Sequence, residues 1–398
     1  MKPYVYSLII FLLLLEVFSV MPPKPTESNP VKNKRVLSGI IHVHSVYSDG
    51  GGTVEEIAEA ARLANRDFVV LTDHNVSTAR KVGKEKNYNG VDLFVEMEAS
   101  TQAGHALSFY SHSEAKNLAD AEINRLTYQH YMGEKSAKDF FISLSHPSNI
   151  KNPWLRFDRY GEGYEIMNFD SVWQRELSDS VFGFLTTGLI SPLNPYLATL
   201  RFLDFYQKDL TVWDNMNLSP SQKHFGILAH DTHSKLKYSG EGFLRWPDYL
   251  QTFKIGTNLV FLKEDPNPDF HQRKAQIYSA IKEARVAIAF DSIYPVQDVE
   301  HSVRCGDKTY ISGDEIADST GCKVAIRFPE AFPYERVIRI LKNGDLFKEE
   351  VSKATTIEVG LEGSGTYRTE IWIKGRSALR GILYRNVPYL FYNPVYLR

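Results

Sequence analysis

Only two cysteines, Cys305 and Cys322, occur in the 398 residues, which excludes a cysteine-based zinc site and a disulfide-dense scaffold. A basic excess is also missing. Lysine and arginine number 46 against 48 aspartates and glutamates, a formal net charge of −2, and that balance argues against a long nucleic-acid partner. Charge itself is not scarce: 24% charged and 43% hydrophobic residues exclude a disordered or fibrous chain. No internal repeat is visible, and 398 residues exceed the usual size of one domain. Metal chemistry, if any, is left to histidine and carboxylate.

One long apolar run exists, at the N-terminus. Lys2 precedes Tyr4 to Leu15, and Glu16 separates that run from Val17-Phe18-Ser19-Val20. A basic start with a short apolar stretch is expected to be an export signal over residues 1–21, either cleaved or retained as an anchor. The run is short for a span of ~20 residues. Export places the chain in a periplasmic or extracellular setting, and retention gives it a membrane contact through residues 4–20. No cysteine lies near residue 20, so attachment as a bacterial lipoprotein is excluded. Residues 22–35, rich in proline, read as a tether.

From residue 36 to 295 apolar strands alternate with helical stretches. Val36 to Ile41, Phe68 to Leu71, Asp92 to Met97, Ala106 to Tyr110 and Phe140 to Leu144 lead the series. Tyr164 to Met167, Phe225 to Leu228, Asn258 to Leu262 and Val286 to Phe290 complete it. Thr53-Val54-Glu55-Glu56 has the spacing of a helix-opening capping box. Such alternation predicts an α/β fold with a mainly parallel sheet, open or closed into a barrel. The stretch Asp170 to Lys223 is long for one crossover and reads as helices on the sheet wall, or as a lid or interfacial helix. From 296 to 398 short alternating segments separated by Asn343-Gly344 and Gly363-Ser364-Gly365 predict an all-β sandwich domain. Cys305 and Cys322 both fall inside it, as a disulfide or as two buried thiols.

The chemistry sits where the strands end. His42-Val43-His44 follows the first strand, and side chains two apart on extended chain point the same way. With 12 histidines, about 0.4 such pairs arise by accident at a chosen spacing, so this pair alone is weak. The signal is its repetition. Thr72-Asp73-His74-Asn75, Glu98, His105, Ser145-His146-Pro147 and His230-Asp231-Thr232-His233 each stand at a strand edge, and in parallel α/β barrels the C-terminal strand ends converge. The set His42, His44, Asp49, His74, Glu98, His105, His146, Asp231 and His233 offers nitrogen and oxygen donors without thiolate, which suits two or three divalent ions of Mn, Zn or Fe. Glu98 is expected to bridge two of them. Glu96, two residues earlier, is expected deeper on the strand or solvated near a rim.

These motifs, in this order and spacing over about residues 38 to 295, resemble the PHP (polymerase and histidinol phosphatase) superfamily. The resemblance implies a distorted (β/α)7 barrel with metals at its C-terminal strand ends and hydrolysis of phosphoesters. The tail Tyr389-Leu390-Phe391-Tyr392-Asn393-Pro394-Val395-Tyr396 resembles that of the CehA/McbA-like subgroup, which includes a carbamate esterase. A small phosphoester substrate is therefore expected, with a carbamate or carboxyl ester as the alternative. An exported binding protein without catalysis is the reading from another class. In the enzyme readings a metal-bound hydroxide attacks, Asp231 orients the water and takes its proton, and Asp73 fixes a neighbouring ligand. Arg245 and Lys151 are the candidates for holding the substrate phosphate. His230, in place of the small residue usual before such an aspartate, is expected to point elsewhere.

Overall fold

Two mixed sheets carry the candidate ligands in the computed structural model, which describes residues 3–21, 34–110, 118–134, 140–147, 149, 153–154, 161–203, 205–218, 223–239, 242–317, 320–375 and 386–398. Lys151 and most of the tether lie outside the described residues. In the larger sheet Val36–Ile41 pairs in parallel with Phe68–Leu71, which pairs in parallel with Val91–Val95. On its other edge Val36–Ile41 runs antiparallel to Thr257–Phe261, and that strand runs antiparallel to Val286–Ala289. The second sheet orders Met97–Ser100, His105–Tyr110, Phe140–Leu144, Gly163–Asn168 and Phe225–Ala229 side by side. Its first two pairings are antiparallel and its last two parallel. The expected mainly parallel sheet is thus a mixed pair of sheets, and among the described residues their ladders form no closed barrel. Sequence alternation reports burial, and strand direction is settled by connections it does not encode.

The sheets meet at one end. Isolated bridges join Val43 to Thr232 and His74 to Glu98, and the His230 N–H donates to Ile41 O at 2.9 Å. Between them lies an apolar core of Leu37, Ile41, Phe68, Val70, Phe94, Leu107, Phe109, Phe141, Phe225 and Ile227, covered by Ile277, Tyr278 and Ile281 of the helix Phe270–Lys282. Two strand glycines make that packing fit. A Cβ on Gly39 would stand 2.0 Å from the Phe68 ring, and one on Gly163 2.0 Å from the Phe225 ring. The capping box closes as expected, with Thr53 Oγ1 accepting from the Glu56 N–H at the start of Val54–Leu63.

The C-terminal region is sheet-rich, but its strands are not confined to a sheet of their own. Glu300–Cys305, Lys308–Tyr310, Lys323–Arg327 and Thr356–Gly360 form a separate four-stranded sheet, in which Cys305 and Cys322 are disulfide-bonded. The last strand, Val387–Leu397, pairs antiparallel with Val286–Ala289, so the larger sheet continues across the expected boundary at 296. Eleven consecutive buried residues explain this: a strand covered on both faces needs a sheet interior. The His301 ring stacks on Tyr392 at 3.8 Å and ties the smaller sheet to that strand.

Residues 169–216 form four helices, Phe169–Asp179, Val181–Ile190, Pro195–Phe202 and Gln207–Met216. Leu197, Leu200, Leu210 and Trp213 are buried against the body, whereas Val181, Phe182, Leu185 and Leu189 are exposed. The N-terminal run is the helix Pro3–Ser19, and no helix among the described residues is long and apolar enough to cross a membrane.

Candidate metal centre

All nine histidines and carboxylates singled out as ligands come together at the end where the sheets meet. Glu98 lies at their middle. Its Oε2 is 3.1 Å from His42 Nε2, 3.3 Å from His44 Nε2 and 3.0 Å from His74 Nδ1. Its Oε1 is 3.0 Å from His105 Nδ1 and 2.9 Å from His146 Nε2. Asp231 Oδ1 stands 3.3 Å from His42 Nε2 and 3.2 Å from His44 Nε2. Asp49, half-exposed at the mouth, faces His44, His74 and His233 at 3.6, 3.7 and 3.3 Å.

The local chain explains these positions. Asp73 accepts from the Ser45 N–H, the Ser45 hydroxyl and the Ser48 hydroxyl at 2.8, 2.7 and 2.6 Å. It therefore holds the loop that carries His44 and Asp49 and touches neither ligand side chain, a place compatible with the expectation that it fixes a neighbouring ligand. Gly50 completes the turn, since a Cβ there would meet His44 O at 2.2 Å. The Tyr249 hydroxyl donates to His44 O at 2.8 Å, and the Trp154 ring N–H reaches His105 O at 2.9 Å. His230 points away from the cluster, with Nε2 against Gly256 O at 3.0 Å, and burial pushes it down to about 3.

Electrostatics bind the cluster tightly. Burial works to lower the His44 pKa, but the neighbouring Asp231 and Glu98 carboxylates overcome it and hold the imidazole up to about 10. His146, also opposed by burial, is held up to about 9, chiefly by Glu98. Burial works to raise the carboxylates, yet the imidazoles around them hold Glu98 and Asp231 well below the usual carboxylate range. His74 goes the other way, down to about 4, because burial outweighs its attraction to Glu98.

Three groups of donor atoms each lie within 4.8 Å of one another: His44, Asp49, His74 and His233; His42, His44 and Glu98; His74, Glu98 and His105. The donors fit a divalent ion on a further count. Glu98 Oε2 is buried without a properly directed hydrogen bond, although it has three ring nitrogens within 3.3 Å. Lone pairs crowded this closely suit a cation better than they suit one another.

Two residues escaped sequence reasoning. Glu165 Oε1 accepts from His42 Nδ1 at 2.6 Å, and Asn168 Nδ2 donates to Asp231 Oδ2 at 3.0 Å. The available signal was a single carboxylate inside a buried apolar strand, which has to be partnered. Of the two proposed phosphate contacts, Arg245 pairs with Glu56 at 2.6 Å, and Lys151 lies outside the described residues.

No protein-family model matches the chain, and no curated protein matches it. Among solved structures, a two-domain protein from Bacteroides vulgatus ATCC 8482, described as containing a predicted PHP-like metal-dependent phosphoesterase, aligns with a TM-score of 0.40. It is 13% identical, and the alignment covers 94% of this chain and 100% of that one. So loose a likeness leaves the site to be read from its own residues.

Proposed function

We propose that this protein is a metal-dependent hydrolase of ester bonds, of the PHP type, with a phosphoester as its substrate. The observation that carries the reading is Glu98, whose two oxygens face five imidazoles from four separate stretches of the chain. A carboxylate so placed is built to be shared between cations, and the three donor groups fit two or three ions of Mn, Zn or Fe. Ions held there supply Lewis acidity to an ester oxygen and acidify water. Asp231 holds the attacking water in line and takes its proton, anchored through Oδ2 by Asn168. Asp49 marks the entrance by its exposure. The two sheets, bridged at Val43–Thr232 and His74–Glu98, support the distorted barrel that this reading implies.

A second reading, a carbamate or carboxyl ester substrate, is favoured by one observation. The Arg245 guanidinium is committed to Glu56 instead of being left for a phosphate, and Phe243, Leu244 and Trp246 beside it are exposed and apolar. Export, with residues 1–21 as signal or anchor, belongs to the proposal as well. Asn194 Nδ2 donates to Val17 O and Val20 O, which ties the end of the apolar N-terminal helix to the turn that follows Val181–Ile190, a helix with Phe182, Leu185 and Leu189 exposed. Those adjoining apolar surfaces support apposition to a membrane.

The test is turnover of p-nitrophenyl phosphate, bis-p-nitrophenyl phosphate and an aryl carbamate, before and after chelation and on return of Mn or Zn. Metal-dependent release from a phosphate ester is expected. Release from the carbamate alone selects the second reading, and bound metal with no turnover on any of them leaves a binding protein.

A further inference from the structure

Glu165 is the one carboxylate of Gly163–Asn168, and it is buried with every acceptor in use. Its Oε1 takes the His42 ring Nδ1–H at 2.6 Å. Its Oε2 takes two donors, the His146 backbone N–H at 2.6 Å and Asn168 Nδ2 at 2.9 Å. The same Asn168 nitrogen donates to Asp231 Oδ2, while Asn168 Oδ1 accepts the Ser171 N–H at 2.9 Å and caps the helix Phe169–Asp179.

The three residues touched share a second property. His42, His146 and Asp231 have φ of 70°, 31° and 46°, in the left-handed region that side chains other than glycine enter only when their surroundings hold them. We propose that Glu165 and Asn168 are a positioning pair that fixes His42, His146 and Asp231 and thereby sets the affinity of the centre for its cations. The inference rests on reading the cluster as a metal centre and adds to it two residues that touch no cation themselves.

The physical reason is a tautomer and a charge. A proton held on His42 Nδ1 leaves the Nε2 lone pair on the side where Glu98 Oε2 and Asp231 Oδ1 stand, at 3.1 and 3.3 Å. The negative charge behind the ring makes Nε2 a stronger donor. Glutamine cannot copy this. It has one acceptor oxygen where the site needs one acceptor for His42 and another for His146 and Asn168, so either the ring or the His146 turn loses its hold.

Zinc affinity of the chelator-stripped full chain, measured by competition with a chromophoric chelator, tests the pair in Glu165→Gln and Asn168→Ser. Both variants are expected to bind zinc ~10–100-fold more weakly, the range seen when such partners of ligating histidines are removed. Serine keeps the helix cap, so metal-free Asn168→Ser should retain its circular dichroism and a cooperative melt even if Glu165→Gln folds poorly. In zinc-loaded protein carrying 15N-histidine, the His42 ring proton should sit on Nδ1 in the wild type and lose that signature in Glu165→Gln. Wild-type affinity in both variants, with an unchanged His42 signal, overturns the inference and leaves the metal centre standing. Wild-type protein that takes up no zinc overturns both.

Discussion

Replacing Glu98 by glutamine and, separately, Glu96 by glutamine separates metal binding from stability. Of the two places expected for Glu96, deeper on the strand or solvated near a rim, burial excludes the rim. Glu96 is the corner residue between Val91–Val95 in one sheet and Met97–Ser100 in the other, so strand alternation stops there. Its carboxylate meets Arg80 Nη2 and Lys274 Nζ at 2.8 Å each and the Tyr278 hydroxyl at 2.9 Å. Glu85 balances the same two cations at 3.3 and 2.6 Å, and the four charged side chains are all nearly fully buried. Glutamine at 96 leaves one buried positive charge uncompensated, at a cost of about 3–5 kcal/mol. With an unfolding entropy of ~2.1 cal/mol/K per residue over the whole chain, that lowers Tm by ~4–6 °C.

Glu98→Gln should cost less stability, because the imidazoles around it can shed protons, whereas Arg80 cannot. Its loss falls on metal: at least one equivalent should be missing by elemental analysis, and hydrolysis should drop by orders of magnitude. Calorimetry and elemental analysis on both variants decide the matter. Full metal in Glu98→Gln, or lost metal with an unchanged Tm in Glu96→Gln, would refute this assignment of the two carboxylates.

Three further outcomes follow from the structure. In metal-free protein, His44 at about 10 and His146 at about 9 lie above the ~6.5 of an unfolded histidine, so their stabilisation is complete below ~6.5 and fades as pH rises through 9 to 10. Tm of the stripped protein should therefore fall across that interval, and a flat profile there contradicts the contacts with Glu98. His74, lowered to about 4, has the opposite sign and weakens the fold only as pH drops below ~6.5. Joint replacement of Cys305 and Cys322 by serine opens a link across a sequence separation of 17, worth ~3 kcal/mol by chain entropy, and should lower Tm measurably; two titratable thiols in untreated protein would show the bond absent. Gly39→Ala drives a Cβ into the Phe68 ring and should cost ~1–3 kcal/mol, partly restored by adding Phe68→Leu; denaturant titration that finds the single variant neutral would refute the close approach.

Most of the candidate ligands were legible because they sit beside strand ends, where a polar residue next to an apolar run is visible in a short window; Asp49, in the turn after His44, is the exception. Glu165 was not, because its partner His42 lies 123 residues away and nothing local marks the pairing. The same limit applies to Val387–Leu397. Its apolar run was evident, but its partner in the sheet, Val286–Ala289, is chosen by tertiary packing. Glu96 shows the converse failure: a correct local spacing was extended across a corner where the chain changes sheets.

Elemental analysis of the purified full chain, before and after chelation and reconstitution, tests the central claim most directly. The account predicts two or three equivalents of a first-row divalent metal, lost on chelation and restored by Mn or Zn. Less than one equivalent in clean protein, with none regained on reconstitution, would contradict it.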